Sequence, residues 1–298
     1  MAESIKNGVF GRNNTRPPAD GLVMPLFSLA GKTAIISGAG QGIGLAVAKA
    51  YAEAGANVAI WYNSNSNATE EARNIEKSFN VKCKAYKVDV TSYDEVNTGM
   101  EKAINELNGR IDVFVANSGV SWGDEAFIDA GIGRYLDTMD INTNGFVYCA
   151  HVAGRHFRRQ KQEGTTVHGT ALEKFDSGSF IATASMSGHI VNIPRRQAVY
   201  NASKAAIIHI CKSLAIEWLG FARVNSVSPG FINTSISGPI AEDIMSAIMD
   251  KVPMGCSART IKTNTGVERA NLSDGYYPMV GATVRGSADS AFLAPLKG

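Results

Sequence analysis

The sequence predicts an α/β fold, a single doubly wound parallel sheet with helices on both faces. Two observations carry this. Short apolar runs alternate along residues 26–255 with longer segments whose apolar residues recur at helical spacing, the pattern of parallel strands joined by crossover helices. A glycine cluster then falls between the first run and the first helical segment, where right-handed crossovers bring ligand-facing loops to the carboxyl ends of the strands. No internal repeat and no second domain interrupt the series.

Each element has its own justification. Residues 1–25 are polar and rich in Asn, Gly and Pro (Asn13, Asn14, Pro17, Pro18), with little apolar periodicity, and predict a flexible arm. Thr33, Ala34, Ile35 and Ile36 read as a buried strand, after which Ile43, Val47, Ala50, Tyr51 and Ala54 recur at helical spacing. A second strand covers 57–61, and Asn67 with Glu70 can cap a helix running to Phe79. A third strand covers 81–88, with Thr91 and Asp94 capping the next helix. The stretch 111–116 is a fourth strand and 139–157 a single long helix. Strands over 180–184 and 224–227 flank the helix that carries Tyr200 and continues through the apolar segment 205–221. A polar insert over 164–178 predicts a surface loop.

Composition narrows the function classes. At 298 residues, 45% hydrophobic and 19% charged, the chain can bury a real core. Its net charge of +2, from 29 basic and 27 acidic side chains, gives no electrostatic case for nucleic acid or an anionic membrane. The one basic cluster, Arg155, Arg158, Arg159 and Lys161, suits a solvated helix end. No apolar run approaches the ~18 residues of a membrane span. The first residues lack the apolar core of a signal peptide, so a cytoplasmic protein is expected. Cys83, Cys149, Cys211 and Cys256 show no Cys-x-x-Cys and the histidines no His-x-x-x-His, so neither disulfides nor a metal site are expected.

The glycine loop points to a nucleotide. Gly38, Gly42 and Gly44 fit Gly-x-x-x-Gly-x-Gly between strand and helix. Glycines there let the backbone approach a pyrophosphate, and the helix amino terminus offers N–H groups and the positive end of its dipole. Gln41 and Ile43 complete the predicted contact surface, with Gln41 standing where a basic side chain is expected. An NAD site usually carries an acid at the end of the second strand for the ribose hydroxyl. Here that stretch reads Trp61, Tyr62, Asn63, Ser64, Asn65, and no acid appears until Glu70. A 2′-phosphate is then not repelled, and Asn63 and Ser64 can hydrogen-bond it, so NADP(H) is the expected cofactor.

Tyr200 and Lys204 lie four residues apart in a helical segment and therefore share a face. A free phenol titrates near pH 10, and a fixed cation beside it favours the phenolate. Bringing it to about 7 takes roughly 4 kcal/mol of differential stabilisation. The pair alone is common by chance; its company gives it weight.

Taken together, these segments resemble the short-chain dehydrogenase/reductase family. The marks are the Gly38/Gly42/Gly44 loop, Asp89 after the third strand, Ala116-Asn117-Ser118-Gly119 after the fourth, Asn142, Ser185, Tyr200 with Lys204, and Pro229-Gly230. The finer texture is similar to the fungal NADP-dependent mannitol 2-dehydrogenase and sorbose reductase branch. It is carried by the strings that begin at Ala59, Ala184 and Lys212. The resemblance implies a Rossmann-type fold and interconversion of a secondary alcohol and a ketone, with a sugar alcohol and ketose as the favoured pair.

It also implies roles. Tyr200 would exchange the proton with the substrate oxygen. Lys204 would lower the phenol's pKa and hold the nicotinamide ribose. Ser185, with Ser187 as a rival, would hydrogen-bond the carbonyl, and Asn142 would hold a water leading from Lys204. Asp89 would contact the adenine and Asn117 would brace the strand end. Thr234 would meet the carboxamide beside Pro229 and Gly230. A homodimer or homotetramer is implied as well.

The resemblance stops after Gly255. Family members normally end with a helix, a last strand and an Asp-Gly-Gly segment, whereas residues 256–298 form an atypical tail in which Ser273-Asp274-Gly275-Tyr276 is the nearest echo. Two other readings stay open: a ketoreductase acting on a larger carbonyl, and an inactive nucleotide-binding relic. Polar groups in the substrate pocket would favour the sugar, and Trp122, His189 and Ile190 are the residues to inspect for it.

Overall fold

The structure is a computed structural model that describes residues 24–123, 125–232, 234, 242–252, 260–262 and 268–270. Six parallel strands form the main sheet: β1 (Thr33–Ile36), β2 (Asn57–Tyr62), β3 (Cys83–Lys87), β4 (Val113–Ala116), β5 (Gly178–Thr183) and β6 (Ala222–Val227). Their spatial order is β3-β2-β1-β4-β5-β6. The chain winds outward from β1 to β3, then returns to the other side of β1, which leaves a crevice at the carboxyl ends of β1 and β4. Register is set by pairs such as Thr33 with Asn57 and Ala34 with Val113.

Alternation along β1 divides the core. Ile36 points to the face covered by α1 (Gly42–Glu53) and α2 (Ala68–Phe79), among Leu45, Ala48 and Ile75. Ile35 points to the opposite face, among Trp61, Phe114 and Phe180, covered by α3 (Tyr93–Leu107), α5 (Gly145–Glu163) and α6 (Ala198–Glu217). A short α4 (Ile132–Met139) precedes α5, and α7 (Glu242–Met249) follows β6. A buried Arg110–Asp112 pair, with Asp112 also accepting the Thr33 N–H at 2.9 Å, fixes the entry of β4 beside β1.

The expected long helix over 139–157 is interrupted. Asp140–Asn144 adopts a π-helical turn between α4 and α5, the wider winding that often marks functional sites. Two predicted caps move. Ser92, not Thr91, caps α3 by accepting the Glu95 N–H, and Asn67 makes no side-chain cap to α2. The 164–178 insert runs mostly over the surface, closed by a bridge between Thr165 and Ala171.

The expected arm, apart from its last two residues, lies outside the described residues, as do Cys256 and Ser273–Tyr276. Of the tail, the structure describes an antiparallel pair, β7 (Thr260–Lys262) with β8 (Glu268–Ala270). Among the described residues no seventh strand joins the main sheet. Cys83, Cys149 and Cys211 are free and buried. No helix among the described residues is long and apolar enough to cross a membrane.

Candidate active site

The loops leaving the carboxyl ends of the strands enclose one cleft of about 950 Å³. Its floor is the glycine loop. Gly38 has φ +62°, and a Cβ there would lie 2.9 Å from the Ser118 Cα. Gly44 sits one layer behind, where a Cβ would meet the Gly38 carbonyl oxygen at 2.5 Å and Asn117 Nδ2 at 2.6 Å. Gly42 both lines the cleft and begins α1, so the helix amino terminus opens onto it.

Asn117 staples three strand ends together. Its N–H donates to Ser37 Oγ at 3.0 Å, its Nδ2 donates to the Ser37 and Gly38 carbonyls at 3.2 and 3.1 Å, and its Oδ1 accepts from Thr183 Oγ1 at 3.1 Å. These bonds hold the ends of β1, β4 and β5 against one another. At the end of β2, Asn63 and Ser64 are exposed on the cleft wall with no carboxylate beside them in the 61–65 stretch. Asn65, which sequence reasoning passed over, donates from Nδ2 to the Gly40 carbonyl at 2.9 Å and ties this wall to the glycine loop. Asp89 lies on the rim, its Oδ1 accepting from Thr91 N–H and Oγ1 at 2.9 and 2.8 Å.

Helix α6 brings Tyr200 and Lys204 to the same cleft. The buried Lys204 donates from Nζ to the Thr183 carbonyl at 3.0 Å and lies 5.6 Å from the centre of the Tyr200 ring. Ser185, two residues past the end of β5, acts on the Tyr200 hydroxyl and favours its phenolate. Its Oγ also accepts the Ser187 N–H at 3.1 Å, whereas Ser187 Oγ accepts from Asn192 Nδ2 at 2.6 Å. Of the two serines, Ser185 is the one that acts on the tyrosine.

Electrostatics differ from the expectation for this pair. Burial pushes the Tyr200 phenol above its ordinary value, opposed by the Ser185 hydrogen bond and the charge of Arg195. Lys204 does not supply the expected lowering. Its ammonium is turned to the Thr183 carbonyl, and burial lowers its own value to about 8. A low-dielectric wall favours the uncharged form of both groups.

Asn142, in the π-helical turn, is fully buried and does not reach the cleft. Its Oδ1 accepts the Val120 N–H at 2.8 Å, and its Nδ2 donates to the Val120 carbonyl at 3.0 Å and to Ser203 Oγ at 3.1 Å. It stands behind Gly119, whose Cβ position is 3.1 Å from Asn142 Oδ1 and 3.3 Å from Lys204 Nζ. The amide thus acts as a brace between the loop after β4 and α6. Pro229, Gly230 and Thr234 form the wall after β6, with Gln41 and Ile43 facing them from the glycine loop.

The residues to inspect for the substrate pocket are not in the cleft lining. Trp122 is buried, donates from Nε1 to the Glu125 carbonyl at 3.1 Å, and is covered by the Arg134 guanidinium. His189 Nε2 pairs with Ser228 Oγ at 3.0 Å, and Ile190 is about half exposed. Ser121, Asn192, Arg195 and Gln197 line the cleft instead. Their only sequence signal is position, next to Gly119 or just ahead of Tyr200.

Comparison with known proteins agrees with this architecture. A family model described as enoyl-(acyl carrier protein) reductase matches residues 38–265. The L-xylulose reductase of Hypocrea jecorina is 58% identical over 255 residues, 86% of this chain and 88% of the relative. The NADP-dependent mannitol dehydrogenase of Alternaria alternata is 40% identical over 237 residues, 78% of this chain and 83% of the relative. The crystal structure of the NADPH-dependent 3-quinuclidinone reductase of Rhodotorula rubra superposes with a TM-score of 0.74 at 36% identity, covering 84% of this chain and 88% of that one. With its strand order, glycine loop and the Ser185–Tyr200–Lys204 constellation, the chain belongs to the short-chain dehydrogenase/reductase family of oxidoreductases.

Proposed function

We propose that this protein is an NADP(H)-dependent oxidoreductase that interconverts a small secondary alcohol and a ketone, with a sugar alcohol and its ketose as the substrate pair. One observation carries the chemistry: the Tyr200 hydroxyl, with Lys204 on the same helix face and Ser185 in the same cleft, sits in the wall of a cleft floored by a glycine loop.

The residues present fit the dinucleotide. Gly38, Gln41, Gly42 and Ile43 would hold the pyrophosphate at the start of α1, with Gly44 allowing the close packing beneath. Asn63 and Ser64 would take the 2′-phosphate, Asp89 the adenine, and Pro229, Gly230 and Thr234 the carboxamide. NADPH, when bound, supplies the hydride.

The chain's own groups handle the proton. A phenol raised by burial is protonated at neutral pH, the state a general acid needs, and Tyr200 gives that proton to the carbonyl oxygen. Ser185 hydrogen-bonds the same oxygen and steadies the charge that develops there. Lys204, its Nζ anchored to the Thr183 carbonyl, would hold the ribose. Polar groups that line the same cleft as Tyr200, among them Ser121, Asn192 and Gln197, support a hydroxylated substrate over an apolar one. The cytoplasmic location and the homodimer or homotetramer expected from the sequence belong to this same reading.

The test is a panel of fructose, sorbose and an aryl ketone with NADPH and NADH, run on the wild type and Tyr200→Phe. Ketose reduction by the wild type, lost in Tyr200→Phe while NADPH binding persists, is expected. Equal inertness of both proteins, each still binding NADPH, would leave the relic reading in its place. Preferential reduction of the aryl ketone would favour the larger-carbonyl reading.

A further inference from the structure

One buried amide in the cleft wall goes unused by the fold. Gln197 lines the cleft and is only 6% exposed. It stands at the N-cap of α6, where a side-chain oxygen ordinarily serves the first amides of a helix, yet it makes no such cap. Its side chain makes no hydrogen bond to any described residue. Nor is its amide sealed in. The Oδ1 of Asn201, one turn further on, is enclosed without a partner, whereas neither polar atom of Gln197 is. The neighbouring amide in the cleft is engaged, since Asn192 Nδ2 donates to Ser187 Oγ at 2.6 Å.

Position supplies the rest. Gln197, Tyr200 and Lys204 follow one another at spacings of three and four residues, and all three line the cleft. They form one stripe along the face of α6. The glutamine is therefore the polar group one turn from the phenol, on the side away from the lysine. A buried amide that loses solvent without gaining a partner is costly. An apolar substituent lying against Gln197 would impose that cost. A hydroxyl would not, because it both accepts and donates, as the amide does.

We infer that Gln197 is a specificity-determining residue whose amide pairs with a hydroxyl next to the reacting carbonyl, so that the site selects hydroxylated ketones over apolar ones. The inference rests on the reading of Tyr200 as proton donor. It adds a discrimination that the proton transfer itself does not require.

The experiment compares fructose and sorbose with 2-hexanone, a 2-ketone of the same carbon number without hydroxyls. The wild type, Gln197→Met and Gln197→Asn are assayed at saturating NADPH, with NADPH affinity and melting temperature as checks of folding. Methionine matches the length of glutamine but cannot pair, and asparagine keeps the amide but withdraws it by one methylene. Gln197→Met is expected to lower kcat/KM for the better ketose about 3- to 10-fold, the worth of a neutral hydrogen bond, and to hold or raise it for 2-hexanone. The ratio of the two then falls by at least about 3-fold, and a smaller fall overturns the inference. An equal loss on both substrates, which leaves the ratio in place, would mean that Gln197 only positions Tyr200. A ratio lowered by faster reduction of 2-hexanone alone would mean that the amide meets no hydroxyl, and also overturns the inference. In each of these cases ketose reduction by the wild type leaves the proposed function standing. If Gln197→Met does not bind NADPH, the ratio measured with Gln197→Asn decides: an unchanged ratio overturns the inference and one lowered through the ketose supports it. A wild type that reduces 2-hexanone but neither ketose overturns the inference and the sugar pair, and leaves the proton chemistry. A wild type that reduces none of the three overturns the proposed function and this inference with it.

Discussion

The Lys204 ammonium lies 5.6 Å from the centre of the Tyr200 ring yet spends its hydrogen bond on the Thr183 carbonyl, at 3.0 Å. The lysine is therefore anchored to the end of β5, and through Thr183 Oγ1 that strand end is tied to Asn117. Tyrosine, lysine and glycine loop are parts of one hydrogen-bonded frame, and the predictions below probe its members separately.

Tyr200→Phe keeps the ring and its packing and removes only the hydroxyl. Loss of a general acid typically lowers rate about 10²- to 10⁴-fold. We expect kcat to fall by that order with the dissociation constant for NADPH nearly unchanged, as read by steady-state kinetics and fluorescence titration. A variant that retains more than about a tenth of the wild-type kcat would remove Tyr200 from the chemistry.

Lys204 gives a pH signature. Burial lowers it from 10.5 to about 8. Below about 8 both folded and unfolded chains hold the proton, and the full cost of burying the charge is present. Between 8 and 10.5 the unfolded chain binds more protons, so stability rises as the pH climbs, by at most roughly 3 kcal/mol from this group. Lys204→Met cannot titrate. The unfolding free energy of wild type minus variant, from urea titrations without added nucleotide, should therefore increase from pH 8 to pH 10. A flat difference would show that the lysine is not held in a low-dielectric wall.

Cofactor choice is testable at one position. Ser64 is exposed on the cleft wall after β2, in a stretch without a carboxylate. Ser64→Asp places a negative charge where the 2′-phosphate is expected, and a repulsion of about 1–2 kcal/mol corresponds to roughly a tenfold loss. NADPH affinity should drop by about that factor while NADH affinity holds or improves. Equal weakening of both nucleotides would place the 2′-phosphate elsewhere.

Much of this frame was legible because it is local. The Tyr200/Lys204 spacing and the glycine loop after β1 depend on residues whose neighbours in sequence are also their neighbours in space, whereas the bracing by Asn117, whose partners Ser37, Gly38 and Thr183 are distant in sequence, came only with the family resemblance. What was not legible depends on packing. Nothing in the 139–157 pattern distinguishes a continuous helix from one that widens at Asp140–Asn144, since the widening serves Asn142, whose partners Val120 and Ser203 lie on other elements. Trp122 looks like a pocket residue until Arg134 covers it. The direction of the Tyr200 shift follows from burial, which the spacing of two residues does not contain.

Gly44→Ala tests the layer beneath the cofactor. The added methyl would lie 2.5 Å from the Gly38 oxygen and 2.6 Å from Asn117 Nδ2, both fixed by the staple at the strand ends. Overpacking of this kind typically costs about 1–3 kcal/mol. We expect a lower melting temperature and a loss of NADPH affinity of about tenfold or more, because relief of the clash moves the loop that faces the pyrophosphate. Unchanged affinity with reduced stability would mean that the loop yields away from the ligand side.

Asn142 separates bracing from catalysis. Its amide satisfies the Val120 N–H, the Val120 carbonyl and Ser203 Oγ in a fully buried site. Asn142→Ala leaves the Val120 N–H and carbonyl facing a small cavity, while Ser203 Oγ keeps its bond to the Tyr200 carbonyl; each unsatisfied buried group costs about 1–3 kcal/mol unless the site relaxes. The denaturation midpoint should fall markedly. Because the lost partner holds the loop behind Gly119, against which Lys204 Nζ packs, kcat should fall as well. Asn142→Asp discriminates between the two effects. It keeps an acceptor for the Val120 N–H, loses both donated bonds, and sets a carboxylate near the Lys204 ammonium, which favours the charged lysine. If bracing is the main role, Asn142→Asp recovers little stability and little activity. If the residue acts chiefly by keeping an acceptor beside Lys204, activity returns while the midpoint stays low.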